Sequence, residues 1–413
     1  MKKDELAIQI FSEIEPLKSV LLHRPGRELE TLTPRYLDSM LFEDIPFLEN
    51  MQIEHDKFAE TLTKAGCEVL YFEKLLSDAL VSPDVRDHVI TEAVESSSVK
   101  DQRIKSAIKE LFQDLDTDEL ASYLIGGIQK TDIAPHTGVK DLSFFIRDEY
   151  PYYIAPLPNL YFTRDPGTAI GHGFSINEMN TSARKRETLL LSVILRSLKT
   201  SMPFEGSPIG LLEHYTDGSS IEGGDILILD RHTLAVGCSA RSESWAIERL
   251  AEQVLSVGTD GFTKLIVIQI PFTRAYMHLD TVFTMVDYDK FTIYPGVERR
   301  LKVFTIEKGG NGTLRVEQGE SLSISLARAL KLPTVDLIQT GGGDSITAAR
   351  EQWNDSTNTL AVAPGKVVTY RRNVVSNETL TSHGIEVLTI DGSELVRGRG
   401  GPRCMSMPLF RSL

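Results

Sequence analysis

The sequence predicts an α/β protein that is built from repeated β–α–β units and carries a helical insertion. The first unit comprises a short apolar strand at residues 18–23, a helix at about 53–65 and a second strand at 67–72. A closely related helix–strand stretch recurs near the end of the chain, whereas residues 74–148 carry helical periodicity. Such repetition favours a set of similar modules over one doubly wound sheet.

The repeat is clearest over thirteen residues. Glu60–Phe72 and Glu378–Ile390 share Glu, Thr, Leu, Thr, Gly, Glu, Val and Leu at equivalent positions. A shorter match joins Thr233–Val236 to Thr359–Val362, and each of these segments is predicted to be a strand that leads into a helix. The matches predict equivalent places for the paired segments in different units.

Residues 74–148 are predicted to be a helical bundle inserted after the first unit. Ser82-Pro83 is typical of an N-cap followed by proline in the first turn of a helix. A later helix carries apolar residues at helical spacing: Ile104, Ile108, Leu111 and Leu115. Beyond the insertion the α/β pattern resumes, with a helix near 184–198 and strands at 226–229, 265–270 and 282–286. The predicted α/β part therefore comprises residues 1–73 and 149–413.

Composition and charge limit the classes of partner. The 413 residues are 41% hydrophobic and 25% charged, which is ordinary for a globular protein. A net charge of −14 argues against nucleic acid and anionic membranes as partners, and it favours a cationic small molecule. No apolar run approaches the ~20 residues that span a bilayer, and the first residues lack the apolar core of a signal peptide. We therefore expect a cytoplasmic protein.

A glycine-dense segment near the end of the chain, residues 397–408, carries the strongest chemical signal. It presents Cys404 with Arg399 and Arg403 close by in sequence. Neighbouring cations lower the pKa of a thiol and enlarge the thiolate fraction that attacks electrophiles, so Cys404 is the candidate nucleophile. The alternative is an inert cysteine buried in a flexible tail.

The other two cysteines have weaker claims to reactivity. Cys67 occupies the place of Ile385 in the repeat, which predicts a buried apolar role. Cys238 follows a predicted strand but has no comparable glycine and arginine neighbours. Three widely spaced cysteines do not predict a disulfide framework.

Three clusters of ionisable residues lie at predicted strand ends or turns, where binding groups are commonly placed. The clusters contain Asp165; Glu222 with Asp225; and His278 with Asp280. On a strand, His278 and Asp280 would point to the same face because they are two residues apart. A hydrogen-bonded surface pair and a metal site are the alternatives for them. No His-x-His or Cys-x-x-Cys element supplies further ligands, so no metal is predicted.

A nucleotide cofactor is not predicted either. Residues 398–403 lack the third glycine of a dinucleotide-binding fingerprint, and residues 360–367 lack the first glycine and the final Ser or Thr of a phosphate loop. Several carboxylates around one Cys–His pair would raise one another's pKa unless a cation lay among them. A guanidinium fits such a site because its planar fork donates paired hydrogen bonds to carboxylates.

Four motifs, in order and spacing, resemble those of the bacterial arginine deiminase family. They are Leu157-Pro-Asn-Leu-Tyr-Phe-Thr-Arg-Asp-Pro166, Glu222-Gly-Gly-Asp225, Met277-His-Leu-Asp-Thr-Val-Phe-Thr284 and Gly400-Gly-Pro-Arg-Cys-Met-Ser-Met-Pro408. The resemblance covers essentially the whole chain. It implies a pseudo-fivefold α/β propeller of the guanidine-modifying enzymes with a helical insertion after the first unit. It also implies hydrolysis of L-arginine to L-citrulline and ammonia without metal or cofactor, and a homodimer or higher homo-oligomer.

The resemblance implies a role for each catalytic candidate. Cys404 corresponds to the nucleophile that forms a covalent S-alkylthiouronium, and His278 to the general acid and base. Glu222 corresponds to the residue that orients His278. Asp165 and Asp280 correspond to the pair that holds the guanidinium.

The resemblance also implies contacts to the rest of the substrate. Asn159, Arg184 and Arg241 correspond to groups that bind the α-carboxylate, and Phe162 corresponds to a wall of the pocket. Arg399 corresponds to a mobile loop arginine near the thiol. Asp225, in the same motif as Glu222, is a further candidate for substrate binding.

Other functions remain open at this point. The nearest alternatives are relatives that act on another guanidine: an agmatine deiminase, an amidinotransferase or a dimethylarginine hydrolase. Candidate partners for an α-carboxylate favour an amino-acid substrate over agmatine. A catalytically silent binding protein of the same fold, or an unrelated soluble α/β protein, are alternatives from other classes.

Overall fold

The computed structural model describes residues 7–137, 142–146, 150–201, 211–212, 218–256 and 261–413. The strands are β1 (Leu17–Leu22), β2 (Glu68–Tyr71), β3 (Ile128–Gln129), β4 (Tyr152–Ile154), β5 (Gly167–Ile170), β6 (Gly173–Ile176), β7 (Leu211–Leu212), β8 (Ile226–Asp230), β9 (Thr233–Cys238), β10 (Lys264–Gln269), β11 (Phe283–Met285), β12 (Lys290–Ile293), β13 (Lys302–Lys308), β14 (Leu314–Gln318), β15 (Asp336–Gln339), β16 (Leu360–Ala363), β17 (Lys366–Tyr370), β18 (Glu386–Ile390) and β19 (Met407–Arg411).

The helices are α1 (Leu48–Lys64), α2 (Phe72–Ala79), α3 (Pro83–Glu95), α4 (Gln102–Asp114), α5 (Thr117–Gly126), α6 (Lys130–Thr137), α7 (Leu142–Phe145), α8 (Lys185–Ser201), α9 (Ser244–Val254), α10 (Pro295–Glu298), α11 (Leu322–Ala329), α12 (Ser345–Gln352) and α13 (Val374–Ser382). Within the described ranges, none of them has the length and apolar composition needed to cross a bilayer.

In the described part of the chain, five sheets share one pattern. Each contains a strand that pairs antiparallel with a neighbour on one side and parallel with a neighbour on the other. Four sheets have three strands, in the orders β19-β1-β2, β5-β6-β7, β11-β12-β15 and β16-β17-β18. The fifth is extended to β14-β13-β10-β9-β8. Helices connect the parallel neighbours, so the predicted mixed α/β class is confirmed.

The long internal repeat corresponds to equivalent structure. Glu60–Phe72 covers the end of α1 and β2, and Glu378–Ile390 covers most of α13 and β18. The prediction from the shorter match is wrong, because β9 is a middle strand that leads to α9 whereas β16 is an edge strand that leads directly to β17. Four residues with strand propensity do not specify a position within a sheet.

Helices α2 to α5 occupy most of the predicted insertion, and α3 begins at Pro83 after Ser82, as predicted. The apolar face of α4 is buried at Ile104, Ile108 and Leu111. These side chains belong to the same hydrophobic cluster as residues of β6 and of the five-stranded sheet. Helix α4 therefore shares a core with these sheets. Residues 138–141 and 147–148 of the predicted insertion lie outside the described residues.

Hydrogen bonds to backbone carbonyls join the turns between these sheets directly to one another. The amide of Gly223 donates to the carbonyl of Asp165 at 3.0 Å, and the amide of Arg164 donates to the carbonyl of Cys404 at 3.1 Å. The hydroxyl of Thr357 donates to the carbonyl of Thr281. Turns that are far apart in sequence are thereby held side by side, and the candidate residues lie on them.

Candidate active site

One pocket brings together most of the residues predicted from sequence. It is lined by Leu41, Asn159, Phe162, Asp165, Arg184, Arg241, Met277, His278, Gly398, Arg399 and Cys404. The carboxylates of Glu222 and Asp280 lie directly behind this lining, in contact with His278 and Cys404 respectively. Almost all of these side chains are buried.

Glu222 and His278 form a buried hydrogen-bonded pair. Nε2 of His278 lies 2.7 Å from Glu222 Oε2, and the other carboxylate oxygen accepts the amide N–H of Asn180 at 3.0 Å. The Gly-Gly turn after Glu222 permits this approach, since a Cβ on Gly224 would lie 2.6 Å from the His278 ring. The glycine therefore makes room for the imidazole.

Charge decides the protonation state of this pair. Burial by itself would lower the pKa of His278, but the carboxylates of Asp165 and Glu222 outweigh it and raise the pKa to about 9. Burial would likewise raise the pKa of Glu222, and the adjacent His278 instead lowers it to about 2. The pair is therefore an imidazolium–carboxylate pair at neutral pH, able to donate a proton from the ring.

Asp165 is held between His278 and Arg184. Nη1 of Arg184 donates to Asp165 Oδ2 at 2.5 Å, and Asp165 Oδ1 lies 3.8 Å from His278 Nδ1. The remaining donors of Arg184 bind Glu187 and the carbonyls of Asn159 and Phe162. Arg184 thus fixes the orientation of Asp165 while it also lines the pocket.

The expectation that His278 and Asp280 share a strand face is wrong. Leu279–Thr281 is a turn of 3₁₀ helix with His278 as its N-cap, and β11 starts only at Phe283. The turn still directs both side chains to the same site. Asp280 Oδ2 accepts from Arg403 Nη1 at 2.9 Å and lies 3.6 Å from the Cys404 sulfur.

The expectation that nearby arginines lower the pKa of the Cys404 thiol is also wrong. Burial raises the pKa well above its usual value, the carboxylates of Asp280, Asp165 and Asp355 add to the rise, and the guanidinium of Arg403 acts in the opposite direction. Arg403 is occupied by Asp280 and by Glu13, which accepts from Nε at 3.1 Å. The anionic surroundings therefore outweigh the cations that are adjacent in sequence.

The other residues predicted to contact the substrate also line the pocket, and each has a protein partner there. Nδ2 of Asn159 donates to the carbonyl of Met40 at 2.7 Å, and the Phe162 ring packs against Tyr161. Nη1 of Arg241 lies 3.7 Å from Glu222 Oε1. The guanidinium of Arg399 lies over the Trp353 ring, 3.7 Å from its centroid.

Asp225 differs from these residues because it does not belong to the pocket lining. Its carboxylate accepts the amide N–H of Leu279 at 2.7 Å and the hydroxyl of Ser239 at 2.6 Å. Oδ1 thus holds the turn that carries His278, and Oδ2 is engaged by the segment that follows β9. This geometry favours a supporting position over the expected contact with substrate.

The described residues include one group with the composition of a metal site. Asp165, Glu222 and His278 each place a potential ligand atom within 4.8 Å of the others. The carboxylates, however, are already engaged by Arg184 and by the His278 ring. The arrangement is that of an ion-pair network, in which each of these two carboxylates already has a cationic partner from the protein.

Sequence reasoning missed three residues that contact the reacting groups or their partners or act on them through charge. Asn358 contacts the Cys404 sulfur at 3.1 Å, Glu13 pairs with Arg403, and Asp355 is a buried carboxylate whose charge acts on Cys404. A run of polar residues, Asn354-Asp-Ser-Thr-Asn358, just before an apolar strand was the available signal. It reads as an ordinary turn, and only its place beside Cys404 distinguishes it.

Comparison with solved structures defines the class of fold. The chain resembles an amidinotransferase of the saxitoxin biosynthetic pathway from Microseira wollei, with a TM-score of 0.54, 12% identity and coverage of 98% of both chains. It also resembles a dimethylarginine dimethylaminohydrolase, with a TM-score of 0.50, 14% identity and coverage of 95% of this chain and 99% of the other. The protein thus has the mixed α/β fold seen in these enzymes.

Sequence comparison is more specific. The family described as arginine deiminase matches residues 38–411. Arginine deiminase 1 of Staphylococcus epidermidis is 46% identical over 98% of both chains, and an arginine deiminase of Streptococcus pneumoniae is 47% identical over 98% of both. The chain belongs to the arginine deiminase family.

Proposed function

We propose that the protein is an arginine deiminase, which hydrolyses L-arginine to L-citrulline and ammonia. The observation that carries the proposal is a carboxylate oxygen beside the thiol that lacks a hydrogen-bond donor among the described residues. Oδ1 of Asp280 is buried and accepts no hydrogen bond from the described residues. A buried acceptor without a donor is costly, and a guanidinium N–H would satisfy it. Membership of the arginine deiminase family supports the same substrate.

Asp165 and Asp280 hold the guanidinium from two sides in this proposal. Each already carries one protein cation, Arg184 or Arg403, which fixes its orientation. Asn159, Arg184 and Arg241 line the same pocket and are the groups proposed to bind the α-carboxylate. Arg184 would give up one of its present contacts, to Glu187 or to a backbone carbonyl, when it does so. Phe162 forms an apolar wall, and Arg399 lies on the loop that carries Cys404.

Binding of the cationic substrate prepares the nucleophile. The positive guanidinium offsets the carboxylate charges that raise the pKa of the Cys404 thiol, so the thiol releases its proton to solvent and the thiolate is favoured once arginine is bound. The sulfur then attacks the central guanidinium carbon. The His278 imidazolium donates its proton to the departing amino group, which leaves as ammonia, and the product is a covalent S-alkylthiouronium.

Water completes the reaction on the same carbon. The now neutral His278 removes a proton from water, the hydroxyl adds to the carbon, and the carbon–sulfur bond breaks. L-Citrulline and the free enzyme result. Glu222 stabilises the imidazolium in both steps through its 2.7 Å contact, and proton transfer by His278 contributes about 10² to 10⁴ in rate.

We further propose the pseudo-fivefold propeller arrangement and its division into an α/β part and an insertion. Support comes from the five described sheets that repeat one pattern of antiparallel and parallel pairing. The α/β part comprises residues 1–73 and 149–413, and residues 74–148 form the helical insertion. A homodimer or higher homo-oligomer is proposed from the family resemblance.

The decisive experiment measures the products formed from arginine. Purified protein is incubated with L-arginine, with and without glycine, and separately with agmatine, and citrulline, ornithine and ammonia are quantified. Equal amounts of citrulline and ammonia, unaffected by glycine, are expected. Glycine-dependent formation of ornithine would instead identify an amidinotransferase, and agmatine as the better substrate would identify an agmatine deiminase.

The Cys404→Ser variant tests the covalent step. We expect it to lose turnover because a serine hydroxyl at this buried position is a far weaker nucleophile than a thiolate. Circular dichroism is expected to be unchanged, since the two side chains differ by one atom. Cys67→Ser, at a buried cysteine outside the pocket, is the matched control and is expected to retain turnover. Retained activity in Cys404→Ser would overturn the covalent mechanism.

A further inference from the structure

Asn358 contacts the reactive cysteine through both ends of its side-chain amide. It lies in the turn between α12 and β16 and is fully buried. Its Oδ1 accepts the backbone N–H of Cys404 at 3.0 Å, and its Nδ2 lies 3.1 Å from the Cys404 sulfur. The side-chain amide of Asn358 therefore contacts both the backbone nitrogen and the sulfur of Cys404.

The orientation of this amide follows from its partners. A backbone N–H can only donate, so the oxygen of Asn358 must face the amide of Cys404. Nδ2 must then face the sulfur, and it also lies 3.3 Å from the carbonyl of Asp280, another acceptor. The contact with sulfur is therefore an N–H donor to a sulfur acceptor.

This donor lies where a thiolate needs one. The sulfur is buried, and the nearest carboxylate oxygen, on Asp280, is 3.6 Å away. Nη1 of Arg403 is directed to that carboxylate at 2.9 Å, and Arg399 lies over Trp353. Asn358 supplies a neutral N–H directly to the atom that becomes negative. A hydrogen bond to the charged form stabilises that form.

We propose that Asn358 is a further catalytic residue, whose side-chain amide donates a hydrogen bond to the Cys404 sulfur and stabilises the attacking thiolate. The role rests on the proposed deiminase function, in which Cys404 is the nucleophile. The same bond helps the second step, because it stabilises the thiolate that leaves when the carbon–sulfur bond breaks.

The surrounding backbone holds Asn358 in place for this role. Its amide N–H donates to the carbonyl of Asp355 at 3.0 Å, and Asp355 takes a left-handed conformation with φ of 56°. Gly401 packs against it so closely that a Cβ there would lie 2.7 Å from the Asn358 carbonyl and 2.8 Å from its side chain. The amide is thus positioned before substrate binds.

The test measures thiol reactivity without arginine, so that its outcome does not depend on the proposed reaction. Alkylation of Cys404 by iodoacetamide is followed across a range of pH by mass spectrometry of the peptide that contains it. The wild type is compared with Asn358→Ala and with Asn358→Asp, which keeps an oxygen for the amide of Cys404. A titration of thiolate ultraviolet absorbance, referenced to Cys404→Ser, provides a second measurement.

We expect alkylation of Asn358→Ala to slow by about 10- to 100-fold at pH values where the thiol is mostly protonated. Asn358→Asp is expected to react more slowly still, because a carboxylate would replace the donor beside the sulfur. Asn373→Ala is the matched control: this buried asparagine donates to the carbonyl of Asn354 at 2.9 Å and so supports the same turn without touching the sulfur.

Unchanged alkylation and titration curves in both Asn358 variants would overturn the proposal, even if arginine turnover fell. An equal effect in Asn373→Ala would also overturn it, because the cause would then be general loosening of the turn. A protein that fails to deiminate arginine but shows the expected shift in thiol reactivity would contradict the proposed function and still support the bond from Asn358 to the sulfur.

Discussion

Single side chains in the pocket are arranged so that each acidic group has one cation behind it. Asp165 is paired with Arg184, Asp280 with Arg403, and Glu222 with the His278 ring. Buried ion pairs of this kind are expensive to break but contribute little net stability. Their value here is orientation, because they direct fixed negative charge to the place that receives a guanidinium.

Removing the negative charge of Asp280, one of the two carboxylates proposed to hold the guanidinium, is expected to impair arginine turnover. For Asp280→Asn we predict a loss on the order of 10²-fold in kcat/KM, because one charge-assisted interaction with the guanidinium is removed. Steady-state kinetics with L-arginine provides the measurement. Asp289→Asn, at an exposed carboxylate beside Lys290, is the control and is expected to behave as wild type. An unchanged kcat/KM in Asp280→Asn would show that Asp280 does not hold the guanidinium.

The pH dependence of turnover is expected to reflect His278. Since its pKa is raised to about 9, the proton that ammonia requires is present below that pH and is lost as pH rises through it. We therefore predict that kcat/KM declines near pH 9. In Glu222→Gln the loss of a stabilising carboxylate lowers the pKa of His278, so the decline moves to lower pH.

The pH profiles of kcat/KM for the two proteins provide this comparison. Glu252→Gln, on the exposed side of α9, is expected to keep the wild-type profile. A decline at the same pH in Glu222→Gln as in the wild type would show that another group controls the alkaline limb.

At the level of elements, the loop between β18 and β19 is closely fitted to the turn that carries Phe162. The hydroxyl of Tyr370 donates to the carbonyl of Gly400 at 2.8 Å, and a Cβ on Gly400 would lie 2.2 Å from the Phe162 ring. The same loop presents Arg399 and Cys404 to the pocket. Because Gly400 has no side chain, the loop between β18 and β19 can lie this close to the Phe162 ring.

Gly400→Ala is expected to displace Phe162 and to widen the pocket. We predict a raised KM for arginine and a loss of about 1 to 3 kcal/mol in stability, the usual effect of overpacking a buried contact. Kinetics and denaturant unfolding measure the two effects. Gly310→Ala is the control because its Cβ would meet open space. Wild-type KM and stability in Gly400→Ala would show that the loop accommodates a methyl group freely.

In the whole molecule, helices of the proposed insertion share one hydrophobic cluster with strands of the proposed α/β part. It includes Val89, Ile104 and Leu120 of the inserted helices together with Phe174 of β6 and Val236 of β9. A shared core couples the stability of the parts that it joins. We therefore expect the described insertion helices to unfold together with the catalytic sheets.

Ile104→Ala tests this coupling. Removing a fully buried isoleucine is expected to cost about 2 to 5 kcal/mol and to lower the melting temperature of the whole protein in one transition. Calorimetry, with arginine turnover followed over the same temperatures, provides the measurement. Ile346→Ala, at a side chain that is 71% exposed, is the control. A separate early transition that leaves turnover intact would show that the insertion unfolds independently.

Much of the fold was predictable from the sequence because it depends on local patterns of residues. Strand and helix periodicity indicated the α/β class, α1 to β2 and the inserted helices, since these depend on neighbours a few residues apart. The motifs around Asp165, Glu222, His278 and Cys404 indicated the family, which sequence comparison confirms. Their roles in catalysis stay predictions that the experiments above test.

Tertiary structure alone decided the chemical state of the site. The rise in the pKa of Cys404 depends on carboxylates from other turns, the orientation of Asp280 depends on an arginine 123 residues away, and the donor at the sulfur comes from Asn358, 46 residues away. Electrostatic and hydrogen-bonding effects act through space. The residues adjacent to a cysteine in sequence therefore could not foretell the environment that folding creates around its sulfur.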